Sequence, residues 1–290
     1  MVFTLQALMK FLQPSAHNSG FSGISHDLQR RAAQVFQFPL MKYAMALALF
    51  LSGTGFAQTM NNRLILVGDS TMAPNNGYGE VLCQALLDTT DCWNLAKNGR
   101  SSKSFREEGL WQDALEKVRF ARPLPAQWIL IQFGHNDQPG KPGRSTHLES
   151  EYPANLARYI EEARNANLKP ILVTPLIRRS FKNGQHIDDL MPWAQAMKSV
   201  ASRLDVPLID LHASSRDKVR SVGEAESDRY AVSPPGTKAF DRTHLGPLGA
   251  CIFAAQVLAQ LPRVTEGQIN APAMLDCARI SETPSGPTKP

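Results

Sequence analysis

The sequence has no large excess of charge of one sign, and this absence excludes several classes of protein. Residues 58–290 hold 27 Lys and Arg against 25 Asp and Glu. There is no basic stripe, no RNA-binding motif and no helix rich in Lys and Arg, so we expect no nucleic-acid partner.

The chain also has no C-x-x-C pair. Since no His/Asp/Glu spacing indicates a ligand set either, we expect neither a metal site nor a cofactor.

The sequence also lacks an apolar run near its start that is long enough to cross a bilayer, which needs roughly 20 apolar residues. About nine apolar residues follow Met41-Lys42, and small residues then lead to Ala57. This order is typical of a secretory signal, so residues 41–57 are interpreted as a signal peptide cut before Gln58. Residues 1–40 are then an upstream extension, with Met41 as the true start. The alternative is a genuine N-terminal segment that packs against the domain or a membrane surface.

An exported chain is expected in the periplasm or outside the cell, without a membrane partner once the signal is removed. Its four cysteines are Cys83, Cys92, Cys251 and Cys277. An even number in an exported protein favours disulfides, and four cysteines allow three pairings. Cys83–Cys92 and Cys251–Cys277 are favoured because each pair is close in sequence and flanks a helix. Four free buried thiols are the alternative.

Strand-like and helix-like segments alternate along residues 58–280. Short apolar runs at 63–67, 92–95, 127–133, 170–174 and 206–211 predict strands, and helical spacing occurs at 77–88, 109–120, 149–166, 189–204 and 246–261. This alternation predicts an α/β domain with three α/β/α layers and a flavodoxin-like parallel five-stranded sheet. The Pro-, Ser- and Thr-rich residues 281–290 predict a disordered tail.

Ligands of such sheets bind at the carboxyl ends of the strands, which directs attention to Ser70. It follows the first predicted strand directly and is flanked by Asp69 and Thr71 rather than by a G-x-S-x-G elbow. A serine at this position can present its hydroxyl and its backbone N–H to one ligand, as a nucleophile requires. A helix N-cap is the simpler interpretation of this serine taken alone.

His244 and Asp241 lie in the loop before the last predicted helix. One turn of backbone brings a carboxylate three residues earlier close to the imidazole, as in a base oriented by an acid. Taken alone, the pair could equally be a solvated ion pair. Gly99 and Asn136 follow the second and third predicted strands and could supply hydrogen-bond donors to an oxyanion. Their joint occurrence at strand ends favours catalysis.

Four ordered blocks resemble those of a known enzyme family. They are GDSTM (68–72), NLAKNGRSSKSF (94–105), FGHNDQ (133–138) and DRTHLGPLGA (241–250). Over about Arg63 to Leu261, the chain resembles the SGNH (GDSL-type) hydrolases, and within them the rhamnogalacturonan acetylesterase-like carbohydrate esterases. The resemblance implies Ser70 as nucleophile, His244 as base and Asp241 as its orienting acid. It also implies an oxyanion hole formed by the Ser70 and Gly99 amides and the Asn136 side chain.

These observations predict an exported serine esterase that deacetylates plant cell-wall polysaccharide, with rhamnogalacturonan as the expected substrate and a monomer as the expected state. Arg178 and Arg179 follow the fourth predicted strand and could pair with the carboxylates of an acidic polysaccharide; solvated arginines are the alternative. Other possibilities are an acetylxylan esterase, a lysophospholipase or thioesterase, and a non-catalytic carbohydrate-binding protein. The polar or basic loops at 140–148, 178–189 and 223–240 disfavour a long acyl chain.

Overall fold

The computed structural model describes residues 61–86, 90–272 and 274–277. The predicted extension and signal (1–57) and the predicted tail (281–290) lie outside the described residues. The strands of the described part are β1 (Asn62–Gly68), β2 (Thr90–Asn94), β3 (Ala126–Gln132), β4 (Lys169–Val173), β5 (Phe181–Lys182), β6 (Gln185–His186) and β7 (Leu208–Ile209).

Five of these strands form one parallel sheet in the order β2-β1-β3-β4-β7, and β5 and β6 form a small antiparallel hairpin. In β1, Leu66 lies opposite Asn94 of β2 on one side and Leu130 of β3 on the other. The strand order is that of flavodoxin-like folds, in which the third strand is central and the first lies between the second and the third. The predicted sheet is therefore confirmed.

Helices cover both faces of this sheet because successive side chains of a strand point to opposite faces. Leu64 and Leu66 of β1 belong to one buried cluster, whereas Ile65 and Val67 belong to another. The helices that supply the rest of these clusters give the three predicted layers. The helices of the described residues are α1 (Gly79–Gln84), α2 (Ser104–Glu107), α3 (Leu110–Phe120), α4 (Glu151–Asn165), α5 (Met191–Arg203), α6 (Leu211–Asp228), α7 (Pro247–Leu258) and α8 (Leu261–Val264).

The sequence prediction missed α6 and wrongly assigned its last residues, 223–228, to a loop. This helix begins after Asp210, whose carboxylate accepts a hydrogen bond from the Ala213 amide at 3.1 Å. Its apolar pattern is weak, because two of its buried residues are serines. Gly223, with φ of 79°, interrupts the helical backbone. Because of this glycine and the polar residues around it, hydrophobic spacing alone does not predict a continuous helix here.

Both predicted disulfides are confirmed. Cys83 of α1 is bonded to Cys92 of β2, and Cys251 of α7 is bonded to Cys277, with Cα–Cα distances of 5.2 Å and 5.6 Å. The second bridge fixes the last described residues of the chain to a core helix. It thereby covalently joins two segments that are 26 residues apart.

The stretch Pro247–Val264 is the one part of the described chain long and apolar enough to cross a membrane by length and composition. Half of it is buried inside the domain. Phe253 and Val257 are fully buried in one of the two core clusters. Its apolar character is therefore explained by burial in this cluster, where α7 packs against α1 and α6.

Candidate active site

Ser70 lies in a tight turn directly after β1. The Asp69 carbonyl accepts hydrogen bonds from the amides of Met72 at 3.2 Å and Ala73 at 3.0 Å, which closes the turn. Gly68 is required before it, because a Cβ there would lie 2.7 Å from the Gln132 carbonyl oxygen of β3. Only 4% of Ser70 is exposed. The strand thus ends on glycine because the neighbouring strand leaves no room for a side chain at this position.

His244 is brought against Ser70 by the loop before α7. Its Nε2 lies 2.8 Å from the Ser70 Oγ, and its Nδ1 lies 3.1 Å from the Asp241 Oδ2. The other oxygen of Asp241 accepts hydrogen bonds from the backbone amides of Thr243 at 2.8 Å and His244 at 2.6 Å. The structure therefore joins Ser70, His244 and Asp241 in one chain of hydrogen bonds, although Ser70 and His244 are 174 positions apart.

The carboxylate of Asp241 is held in its charged form. Burial by itself raises the pKa of this group, but the hydrogen bonds from His244 and Thr243 outweigh burial and keep the pKa below its usual value. An ionised Asp241 favours the tautomer of His244 that carries its proton on Nδ1. The Nε2 of that tautomer is an acceptor and faces the hydroxyl of Ser70.

Asn136 and Gly99 lie on the same cleft as Ser70 and His244. The Asn136 Nδ2 donates to the Arg100 carbonyl at 3.1 Å, which fixes the amide and leaves its second hydrogen available. Gly99 has φ of 78°, in the left-handed region where glycine is favoured. The cleft has a volume of about 740 Å³. All five predicted residues of the catalytic group and oxyanion hole therefore line a single cavity.

The structure separates the two arginines that the sequence placed together. Arg178 lines the cleft, where its Nη1 donates to the carboxylate of Asp189 at 2.5 Å and to Gln138 at 2.7 Å. Arg179 is fully buried, and its Nη2 donates to the His244 carbonyl at 2.8 Å. The expectation that Arg179 contacts substrate was therefore wrong. Its guanidinium points inward, where the backbone carbonyls of Asp241, Thr243 and His244 accept its hydrogen bonds.

A second pair of titratable residues, His135 and Asp69, is buried next to Ser70. The Nδ1 of His135 is 3.3 Å from the Asp69 Oδ2, within ion-pair distance but without hydrogen-bond geometry. The other oxygen of Asp69 accepts from the amide of Thr71 at 2.9 Å and its hydroxyl at 2.8 Å. Burial lowers the pKa of His135 below its usual value. Burial raises the pKa of Asp69, but His135 and Thr71 together hold it below its usual value.

Asp137 connects two loops of the cleft and has a role that the sequence did not indicate. Its carboxylate accepts from the Ser102 hydroxyl at 2.5 Å, the Ser102 amide at 3.1 Å and the Thr146 hydroxyl at 3.1 Å. Burial raises the pKa of this carboxyl to about 7, although the hydrogen bonds from Ser102 and Thr146 oppose the rise. Asp137 therefore holds the Gly99 loop against the loop that carries Thr146.

The cleft is rich in cations. Arg100, Lys141, Arg144 and Arg178 line it, against the two carboxylates of Glu108 and Asp241. The sequence prediction identified only Arg178 among these four. Within the described residues, no three His, Cys, Asp or Glu side chains converge in a way that could hold a metal ion.

Comparison with known proteins found a matching family and similar proteins. Residues 66–250 match the model of the GDSL-like lipase/acylhydrolase family. A Bacillus subtilis (strain 168) protein named "Probable rhamnogalacturonan acetylesterase YesY" is 34% identical over 198 residues, which cover 66% of this chain and 88% of that protein. "Rhamnogalacturonan acetylesterase RhgT" from the same strain is 36% identical over 212 residues, which cover 67% of this chain and 87% of that protein.

Solved structures share the fold. The crystal structure of the Bacillus subtilis protein YXIM superposes with a TM-score of 0.58 at 23% identity; 71% of this chain is aligned, but it spans only 58% of that chain. An acetyl xylan esterase, AlAXEase, superposes with a TM-score of 0.52 at 18% identity, covering 69% of this chain and 99% of that chain. At these identities, the likeness establishes the architecture.

Proposed function

Because this chain belongs to the GDSL-like lipase/acylhydrolase family, we propose that it is a serine esterase that removes acetyl groups from rhamnogalacturonan. The substrate is inferred from the two Bacillus subtilis relatives, which carry the name rhamnogalacturonan acetylesterase and are covered over 88% and 87% of their lengths. The observation that carries the proposal is the 2.8 Å contact between the Ser70 hydroxyl and the His244 Nε2 at the wall of a polar cleft.

Ser70 is the nucleophile in the proposed reaction. Its Oγ attacks the acetyl carbonyl carbon while the Nε2 of His244 takes the hydroxyl proton. The imidazolium that forms is stabilised by Asp241, whose Oδ2 lies 3.1 Å from the His244 Nδ1. The same imidazolium then gives its proton to the departing sugar oxygen, which leaves an acetyl group on Ser70.

Three donors face the oxyanion in this mechanism: the amides of Ser70 and Gly99 and the free hydrogen of the Asn136 side chain. The hydrogen bond from Asn136 to the Arg100 carbonyl, at 3.1 Å, supports this role because it holds the amide group in place before substrate arrives. Donors fixed in advance need no reorganisation in the transition state. A water molecule that gives its proton to His244 then attacks the acetyl-serine, and His244 returns the proton to the Ser70 oxygen as acetate leaves.

The two disulfides, Cys83–Cys92 and Cys251–Cys277, support an exported enzyme, because such bridges persist in oxidising compartments. The proposed location is the periplasm or the exterior, where an acetylated polysaccharide is accessible. The proposed partner is thus the polysaccharide or its fragments, and the enzyme acts as a monomer.

The test is acetate release by the full chain from acetylated rhamnogalacturonan, acetylated xylan and p-nitrophenyl acetate, with a long-chain acyl thioester as the rival substrate. Ser70→Ala is expected to abolish turnover of every ester. Ser199→Ala is the matched control, because this exposed serine of α5 bonds only to the Gln195 carbonyl among the described residues.

Four outcomes would contradict the proposal in different ways. Preference for acetylated xylan would reassign the polysaccharide, and preference for the thioester would favour a thioesterase or lysophospholipase. Binding of rhamnogalacturonan without any hydrolysis would favour a carbohydrate-binding protein. Unchanged turnover in Ser70→Ala would exclude Ser70 as the nucleophile.

A further inference from the structure

The four cations of the cleft fall into two pairs that differ in their partners. Arg100 donates to the carboxylate of Glu108 at 2.7 Å and 2.8 Å, and Arg178 donates to that of Asp189 at 2.5 Å. These two guanidinium groups are therefore neutralised by the protein itself. Each of these charges is thus already part of an ion pair within the protein.

Lys141 and Arg144 form the second pair, and no carboxylate of the described residues forms an ion pair with either. Arg144 donates to one neutral group, the Gly99 carbonyl, at 3.2 Å. Both side chains are half-buried. Uncompensated charge that is partly removed from water is costly, and an anion bound beside it lowers that cost.

The loop that carries this pair is held in place before any ligand binds. The Ser145 hydroxyl accepts from the Lys141 amide at 2.9 Å and donates to the Gln138 carbonyl at 2.8 Å. The Thr146 amide donates to the Asp137 carbonyl at 2.9 Å, which ties the loop to the residue next to Asn136. The backbone of this loop is thus ordered on folding, so its entropy is not lost again on binding.

We infer that Lys141 and Arg144 form a subsite for the carboxylate of a uronic acid residue in the acetylated chain. The inference rests on the proposed function and names the substrate chemistry that the same cleft selects. Arg144 presents a planar guanidinium that matches a carboxylate with two parallel hydrogen bonds, and Lys141 adds a point charge.

The position of Arg144 indicates where that carboxylate lies relative to the ester. Its guanidinium contacts the carbonyl of Gly99, whose own amide is a proposed oxyanion donor. The carboxylate therefore belongs to the acetylated sugar or to its immediate neighbour. Lys141 supports this assignment: burial, with the nearby charges of Arg178 and Arg144, lowers its pKa below the usual value. A bound anion would relieve this repulsion.

The test compares two forms of one substrate, an acetylated rhamnogalacturonan oligosaccharide with free carboxylates and the same oligosaccharide after methyl esterification of its carboxyl groups. Acetate release separates the reaction from loss of methanol. We expect the kcat/KM of the wild type to be at least about tenfold higher for the free acid, since charge-assisted hydrogen bonds are stronger than neutral ones. In Lys141→Met/Arg144→Met this ratio should fall close to one.

Arg203→Met/Arg220→Met is the matched control, because it removes two exposed positive charges from α5 and α6, outside the cleft. Its ratio should equal that of the wild type. A second measurement uses the wild type alone: raising NaCl from 0.05 M to 0.5 M should lower its ratio modestly, because salt screens half-buried charges, although less than exposed ones. A wild-type ratio of one, or a wild-type ratio retained by the double variant, would overturn the subsite.

Failure of the proposed function has a different signature. In that case the wild type releases no acetate from either form of the oligosaccharide. The existence of the subsite is then tested by calorimetric measurement of trigalacturonate binding to Ser70→Ala. Tighter binding of the free acid than of its methyl ester, lost when Lys141→Met and Arg144→Met are added, would support the subsite on its own. Equal binding of the two forms would overturn it.

Discussion

The Nη2 of Arg179 donates a hydrogen bond to the backbone carbonyl of His244 at 2.8 Å, from a position that is fully buried. The same guanidinium reaches the carbonyls of Thr243 at 3.4 Å and Asp241 at 3.5 Å. Burial lowers the pKa of Arg179 to about 10, so the group stays charged at neutral pH. One buried side chain thus donates to three backbone carbonyls of the loop that carries Asp241 and His244.

Arg179→Lys is expected to lower kcat by about tenfold to a hundredfold, because an ammonium cannot span three carbonyls and a small displacement of a catalytic group is costly. KM for the polysaccharide should change little, since residue 179 does not reach the cleft surface. Steady-state kinetics separates the two effects. A raised KM with an unchanged kcat would return Arg179 to a substrate-binding role.

Asp241→Asn should lower kcat on p-nitrophenyl acetate by about 10³- to 10⁴-fold. The amide nitrogen of Asn would donate toward the His244 Nδ1, which favours the tautomer that cannot accept the Ser70 proton. Folding is checked by near-UV circular dichroism. Asp113→Asn, an exposed change on α3, is the control. A loss below tenfold would show that His244 does not need this carboxylate.

Asn136→Ala should lower kcat by about 10²- to 10³-fold, the usual effect of removing one oxyanion donor. The variant also loses the 3.1 Å hydrogen bond to the Arg100 carbonyl. Asn136→Asp retains the shape but places an acceptor where the oxyanion forms, so it should be at least as impaired. Rates of acetyl-enzyme formation by stopped flow are the measurement. Equal rates in the wild type and Asn136→Ala would remove Asn136 from the oxyanion hole.

Asp137 should make stability depend on pH between about 4 and about 7. Because burial raises its folded pKa from 3.8 to about 7, the folded chain retains a proton that the unfolded chain has lost in this window. Unfolding therefore releases a proton, and the contribution of Asp137 to stability falls as pH rises through the window and is constant above it. The slope is at most about 1.4 kcal/mol per pH unit.

The measurement is urea unfolding of the wild type and Asp137→Asn at several pH values from 4 to 8. The wild type should lose stability relative to the variant as pH rises toward 7, and the difference should then level off. A difference that is the same at every pH would mean that Asp137 does not titrate in this window and keeps one charge state throughout.

Removal of the disulfide between α7 and the last described segment should cost about 3 kcal/mol of unfolding free energy, mainly through the entropy of the unfolded chain. The Cys83–Cys92 bridge closes a shorter loop, with a sequence separation of 9 against 26. Its double alanine variant should therefore lose about 1 kcal/mol less than Cys251→Ala/Cys277→Ala. Urea unfolding of both variants tests the order. The reverse order would indicate that native packing, not loop closure, dominates.

The sheet and its covering helices could be predicted because their signals are local. Apolar runs such as Ile65–Val67 end on turn-forming residues, and the five predicted strands and five predicted helices were confirmed within a few residues, whereas the short β5–β6 hairpin lies in a stretch predicted as a loop. The α6 helix was missed for an equally local reason: its buried face includes Ser215 and Ser227 and it contains Gly223, so its hydrophobic spacing is weak.

The candidate site could be predicted as a set of residues, since Ser70, Gly99, Asn136 and the Asp241–His244 pair occur at strand ends or before the last helix. Parallel strands bring their carboxyl ends to one edge, so the meeting of these residues follows from the strand order. Their distances did not follow, because they depend on how the loops pack.

The sequence by itself determined which residues are available for chemistry and which strands they follow. Only the tertiary structure decided what each charge does. Arg178 and Arg179 are adjacent, yet one bonds to Asp189 at the cleft and the other lies beneath His244. Lys141 differs from Arg100 because Glu108 neutralises only the latter. The physical reason is that the free energy of a charge depends on its burial and its nearest partners, and those partners come from distant parts of the chain.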